Sequence, residues 1–157
     1  EKYWATYFDT VSKHLKPGGR FGLQAITMPH DRMLASRHAY TWISKYIFPG
    51  GYIPALSEIV TASDGLRWFV SDVETLRLHY AYTLRAWYAR AVANRDAIVA
   101  LYDERFFRMW TFYLAGAIVS FTNGTLVNYQ LQFTKDRNAL PITRDYMLEE
   151  ERRLREM

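Results

Sequence analysis

Gln24 is the chemically distinctive residue of this chain, the one strong polar side chain in the apolar run from Phe21 to Thr27. A buried amide without partners costs on the order of 1–3 kcal/mol, so a glutamine in a buried strand must bond to something. In open α/β sheets ligands lie beyond the carboxyl ends of the strands. Gln24 and Ile26 sit towards that end of the run and share a face. Two readings stay open: an amide that binds a ligand, or one tied to a neighbouring loop. Other chemistries find less support. His14, His30, His38 and His79 show neither HxxxH nor carboxylate-flanked spacing, so no metal site is expected. No GxGxxG, Walker or GxSxG pattern occurs, which leaves a phosphate cradle or a serine nucleophile unsupported. The chain has no cysteine, hence no thiolate, disulfide or thiolate-bound zinc.

The elements that would position these residues follow from periodicity. Trp4, Phe8, Val11 and Leu15 recur at helical spacing, so residues near 2 to 15 read as an amphipathic helix that Pro17-Gly18-Gly19 ends. Phe21 to Thr27 reads as a strand buried on both faces, as in a parallel sheet covered by helices. The order helix, turn, buried strand suits an α/β fold. A helix is expected from about Met33 to Tyr46, then a Pro49-Gly50-Gly51 turn, then a short helix ending near Asp64-Gly65. Leu66 to Thr75 reads as a second strand. One long helix is expected from Tyr80 to about Tyr102, and Asp103 is a candidate cap for the next, which Asn123-Gly124 breaks. From Thr125 to Thr134, Val127, Tyr129, Leu131 and Phe133 alternate with Asn128, Gln130 and Gln132, the mark of a strand with one apolar face. Arg144 to Met157 is charge-rich and reads as a solvated helix with Glu149–Arg153 and Glu151–Arg155 pairs.

Twelve Tyr, nine Phe and five Trp in 157 residues exceed what an ordinary core needs. They suit either a bulky core or an apolar ligand cavity. A net charge of +4 and a pI near 9.3 favour anionic partners, phospholipid or nucleic acid, over an ordinary solvated surface only mildly. Arg85, Arg90 and Arg95 alternate with Trp87 and Tyr88, as a nucleic-acid face would require. Those rings fall on the apolar stripe of their helix and are expected inside, so no nucleic-acid partner is assigned. No stretch reaches the ~18 to 20 apolar residues of a membrane span. Residue 1 is Glu and no signal pattern follows, so the chain is expected to begin inside a longer protein. The expected location is cytoplasmic, which the lack of cysteine suits, and peripheral to the membrane.

Three further segments carry a resemblance. Leu15-Lys16-Pro17-Gly18-Gly19, Tyr46-Ile47-Phe48-Pro49-Gly50-Gly51-Tyr52-Ile53-Pro54 and His79-Tyr80-Ala81-Tyr82-Thr83-Leu84-Arg85-Ala86-Trp87 resemble the cyclopropane-fatty-acyl-phospholipid synthase and mycolic acid cyclopropane synthase family. Asp103 to Phe106, Tyr113-Leu114 and Asn128 to Phe133 follow in the family's order. The resemblance covers about residues 2 to 137. It implies the C-terminal half of a Rossmann-like class I methyltransferase sheet with an inserted helical region, an α/β fold with residues 1–137 in that domain and 138–157 as a charged tail. Residues 21 to 27 would be the fifth strand, and 66 to 75 and 125 to 134 the last two.

The activity implied is transfer of the S-adenosylmethionine methyl to an alkene of a phospholipid acyl chain. A carbocation forms, and proton loss closes a cyclopropane. Bicarbonate is the implied base, held at positions that correspond to Gln24, Ile26 and Tyr80. The family's bacterial synthases carry histidine where Gln24 stands; an amide still donates a hydrogen bond but carries no charge. That departure leaves ring, methyl-branched and methylene-branched products open. Tyr46, Phe48, Pro49 and Tyr52 are implied at the substrate entrance. The Gly-rich cofactor loop and acidic ribose ligand would precede residue 1, so this chain alone is expected to be inactive and to need a companion chain, a homo-oligomer or upstream sequence. The rival reading is a non-catalytic lipid- or partner-binding subunit.

Overall fold

In the computed structural model, which describes residues 3–36 and 41–157, helix α1 (Trp4–His14) lays the stripe Trp4, Phe8, Val11 and Leu15 against a three-stranded sheet. The strands are β1 (Arg20–Thr27), β2 (Phe69–Leu76) and β3 (Val127–Thr134), in the order β1-β3-β2. Both pairings are antiparallel, so β1 and β2 run the same way with β3 reversed between them. This order agrees with the sheet edge that the resemblance implies.

Residues whose side chains alternate across β1 and β3 explain the register. Phe21, Leu23 and Ala25 pair with Phe133, Leu131 and Tyr129 on the face that α1 and α4 (Leu56–Asp64) cover. Phe8 is fully buried there, in ring contact with Trp4, Tyr7, Phe21, Trp68 and Phe133. Large rings bury much area each, so they dominate this core. The opposite face carries Gly22, Gln24, Gln130, Gln132, Asp72 and Glu74, paired row by row.

Two expectations about β1 are corrected by this arrangement. The strand is not buried on both faces, and it is not part of a parallel pairing among the described residues. Its run alternates in the ordinary way once Gly22 and Gln24 are counted as the open face. Gln24 is therefore exposed rather than a buried amide.

Helix boundaries differ for local reasons. The helix expected from Met33 to Tyr46 is two, α2 (His30–Ser36) and α3 (Trp42–Tyr46), with residues 37–40, and so His38, outside the described residues. Thr41 is extended and opens α3 with a capping box to Ser44, which satisfies two free donors of the first turn. The helix expected from Tyr80 to Tyr102 divides into α5 (His79–Ala93) and α6 (Arg95–Leu101). At the break the Asn94 amide donates to the Arg90 carbonyl at 2.8 Å. Asparagine competes in this way with the helical backbone. β2 starts at Phe69 rather than Leu66, because Leu66, Arg67 and Trp68 donate backbone bonds into the turn that ends α4.

Asp103 caps α7 (Glu104–Thr122), its Oδ1 accepting the Phe106 amide at 2.6 Å. Helices α5 and α7 pack on each other around Leu84, Leu114 and Phe121, a second core that meets the sheet at Ile26 and Leu126. The tail forms α8 (Asp145–Arg155) and is tied to the open face of the sheet. Arg144 Nε pairs with Asp72 Oδ2 at 2.6 Å, and the Tyr146 hydroxyl donates to Gln132 Oε1 at 2.9 Å. Arg155 pairs with Glu151 as expected, whereas Arg153 takes Glu150 in place of Glu149.

Candidate functional site

The end of β1 and the start of α5 converge on the second core. Ile26 and Tyr80 both pack against its buried cluster, and the Tyr80 ring lies 4.9 Å from Phe121 and 6.0 Å from Trp87. Tyr80 comes there because α5 begins three residues after β2 ends. Gln24 is one step back along the same face of β1, opposite Gln130. Its Oε1 accepts from Gln130 Nε2 at 3.4 Å. The Gln24 Nε2 donor and the Tyr80 hydroxyl take no protein partner among the described residues. Glu74 ends the same cross-strand row, two strand spacings or about 10 Å from Gln24. Either donor could bond an anion, but neither carries positive charge.

Two neighbours of this group lie in segments that carry the resemblance, which implies no site role for either. Tyr113 of α7 is held above the ordinary phenol range by burial, and next by the nearby Tyr80 phenol. It remains a protonated donor in the neighbourhood of Tyr80. Asn128 lies across from Ile26 and is 2% exposed, with an Oδ1 that has no partner. An orphaned acceptor of this kind is costly, so a group donating to it would be favourable.

The loop after α3 makes a cleft of about 500 Å³, lined by Tyr3 and residues 47–52. Phe48, Pro49 and Tyr52 line it; Tyr46 stands beside it, exposed. Gly50 has φ +71°, and a Cβ on Gly51 would come within 2.9 Å of Phe48, so the Pro-Gly-Gly turn requires its glycines. The Tyr52 hydroxyl donates to Glu58 Oε2, which also accepts the Ala55 amide and so braces the loop on α4. Phe48 reaches α7, its ring 5.8 Å from Tyr113. Along α7 the rings of Phe106, Trp110 and Tyr113 follow one another at 6.5 and 5.3 Å. An aromatic path thus joins the cleft to the neighbourhood of Tyr80.

Two of the four histidines have partners elsewhere. His14 bonds the Thr10 carbonyl at 2.8 Å and His30 the Ser57 hydroxyl at 3.0 Å. Trp87 and Tyr88, expected inside, are 39% and 36% exposed.

The model of the mycolic acid cyclopropane synthetase family matches residues 1–131. The chain belongs to this family. The synthetase relatives include the tuberculostearic acid methyltransferase UfaA1 of Mycobacterium tuberculosis, 48% identical over 131 residues, covering 81% of this chain and 30% of the relative. The cyclopropane-fatty-acyl-phospholipid synthase of Escherichia coli K12 is 33% identical over 144 residues, 91% of this chain and 36% of its own length. Mycolic acid cyclopropane synthase CmaA1, solved with SAH and CTAB, superposes with a TM-score of 0.76 at 25% identity, over 85% of this chain and 50% of CmaA1. This synthetase-family chain spans about a third of the length of the curated relatives named here.

Proposed function

We propose that the protein containing this chain transfers the methyl group of S-adenosylmethionine to the double bond of an unsaturated phospholipid acyl chain. Family membership supports the reaction class, and the observation that carries the reading is the meeting of Ile26 and Tyr80 at the end of the aromatic path from the cleft. S-adenosylmethionine would supply the methyl, its sulfur–methyl bond breaking with the electron pair left on sulfur; the alkene π pair would make the new C–C bond and leave a cation at the other alkene carbon. The residues of this chain would then do three things. Phe106, Trp110, Tyr113 and Phe48 would hold the acyl chain and exclude water. The faces of Tyr80 and Phe121 would stabilise the cation, each by roughly 0.5–2 kcal/mol. Gln24 Nε2 and the Tyr80 hydroxyl would orient bicarbonate, which fits their donors, beside the proton to be lost.

Loss of a proton from the added methyl closes a ring; loss from a neighbouring chain carbon leaves a methyl branch beside a double bond in the chain. The test is the full-length protein with isotopically labelled S-adenosylmethionine and unsaturated phospholipid, read by mass spectrometry of the released acyl chains. An acyl chain heavier by one labelled CH₂ is expected. Lipid binding with no label in any acyl chain would overturn the proposal in favour of a non-catalytic lipid-binding role.

A further inference from the structure

We propose that the outer face of α3 and α7 docks on an anionic phospholipid bilayer, beside the mouth of the cleft. The proposal rests on methyl transfer to membrane acyl chains as the function, and adds where the protein meets the membrane. Arg105, Arg108, Phe112, Ala115, Gly116 and Val119 recur at helical spacing and are all exposed. They make one stripe about 21 Å long on α7. Phe112 is 66% exposed, yet its ring lies 5.3 Å from Trp42 of α3, itself 36% exposed. Ile43 and Tyr46 extend this apolar surface along α3. Contiguous exposed rings of this kind mark an interaction site.

The charges on the face decide the partner. Lys45 lies over the Tyr46 ring at 4.9 Å. Lys45, Arg105 and Arg108 make no ion pair among the described residues. The acids at the start of α7 are engaged elsewhere: Asp103 caps the helix, and Glu104 pairs with Arg95 at 2.6 Å. α3 carries no acid at all. Aromatic rings flanked by free cations suit the headgroup level of a bilayer, where rings sit in the interface and cations meet phosphates. An apolar protein surface would leave three cations without counter-charge; anionic lipid supplies it. The face is also continuous with the cleft, because Phe48 both lines it and touches α7. An acyl chain rising from the bilayer here reaches the cleft without crossing water.

The test is co-sedimentation of the full-length protein with vesicles of phosphatidylcholine, alone or mixed with phosphatidylglycerol. Each basic residue near an anionic surface is worth about fivefold in partitioning. The triple variant Lys45→Ala, Arg105→Ala, Arg108→Ala should bind mixed vesicles about a hundredfold more weakly and lose its salt dependence. Phe112→Ser, at an exposed position, should weaken binding to both vesicle types while leaving the melting temperature unchanged. Wild-type protein with no preference for mixed vesicles, or variants that bind like wild type, would overturn the proposal. Methyl transfer in detergent micelles separates this from the function. If the variants methylate micellar and vesicular lipid alike, the docking face is wrong and the function stands. If the wild type binds vesicles through this face but methylates neither form, the face stands and the function falls.

Discussion

Tyr80 is where packing and chemistry separate most cleanly. Its ring belongs to the second core, in contact with Phe121 and Trp87, while its hydroxyl takes no protein partner among the described residues. Tyr80→Phe in the full-length protein should keep the ring contacts and remove only the donor. Donors that act on transition-state charge are worth about 2–4 kcal/mol, so kcat should fall roughly 30- to 1000-fold with lipid KM little changed. Unchanged kcat in steady-state assays on lipid would make Tyr80 a packing residue alone. Tyr113 gives a pH prediction with a definite sign. Its folded phenol titrates above the ordinary value of 10.0, so it affects stability little below that pH. Above it the unfolded phenol ionises first, and stability falls until the folded phenol ionises too. Thermal melts of Tyr113→Phe should therefore lose less stability than wild type above pH 10. The resemblance brings Ile26 and Tyr80 together and both pack on one core, whereas it implies no role for Tyr113 beside Tyr80. Which hydroxyls face each other depends on how α5 and α7 cross, and neither helix encodes that alone.

Capping residues proved the most readable features among the elements, because a cap is a local contract between one side chain and its own first turn. Asp103 stands at the start of α7 with its carboxylate on the Phe106 amide, as its place before an apolar periodic run predicts. Asp103→Ala should cost about 1 kcal/mol, read from the urea midpoint, and a cost near zero would mean the packed face of α7 alone fixes its start. Breaks inside helices were harder to read. Asn94 ends α5 through one amide-to-carbonyl bond, and the apolar spacing on either side continues as if nothing intervened. β1 misled for a related reason. Ile26 leaves the open face of the sheet for the second core, and with it in the count the strand looks apolar on both sides. Counting it makes Gln24 look buried, whereas it lies on an alternating polar row.

At the scale of the molecule, the second core reaches the sheet at Ile26, near the end of β1, and at Leu126, just before β3, and the candidate site lies there. The tail helix α8 clamps the other end of the open sheet face through Arg144 and Tyr146. What the sheet lacks among the described residues is a neighbour for β1, which pairs with β3 on one side only. Alternate peptide groups of an eight-residue strand therefore point away from the sheet. β1 also has apolar Phe21, Leu23 and Ala25 on one face, and its one charged side chain, Arg20, is at its start. Charges and prolines along an edge are what normally prevent strand-to-strand association, and this edge has neither in its middle. Expressed as these 157 residues alone, the chain should associate through β1, giving species larger than a monomer in light scattering at micromolar concentration. Replacing Leu23 would confuse edge with core, so the control is Gly22→Lys, which puts a charge on the open face where a Cβ meets no atom within 4 Å. That change should shift the population towards monomer. A monodisperse, cooperatively melting monomer before any substitution would show instead that one side of β1 tolerates solvent, and that the sheet is stable as three strands.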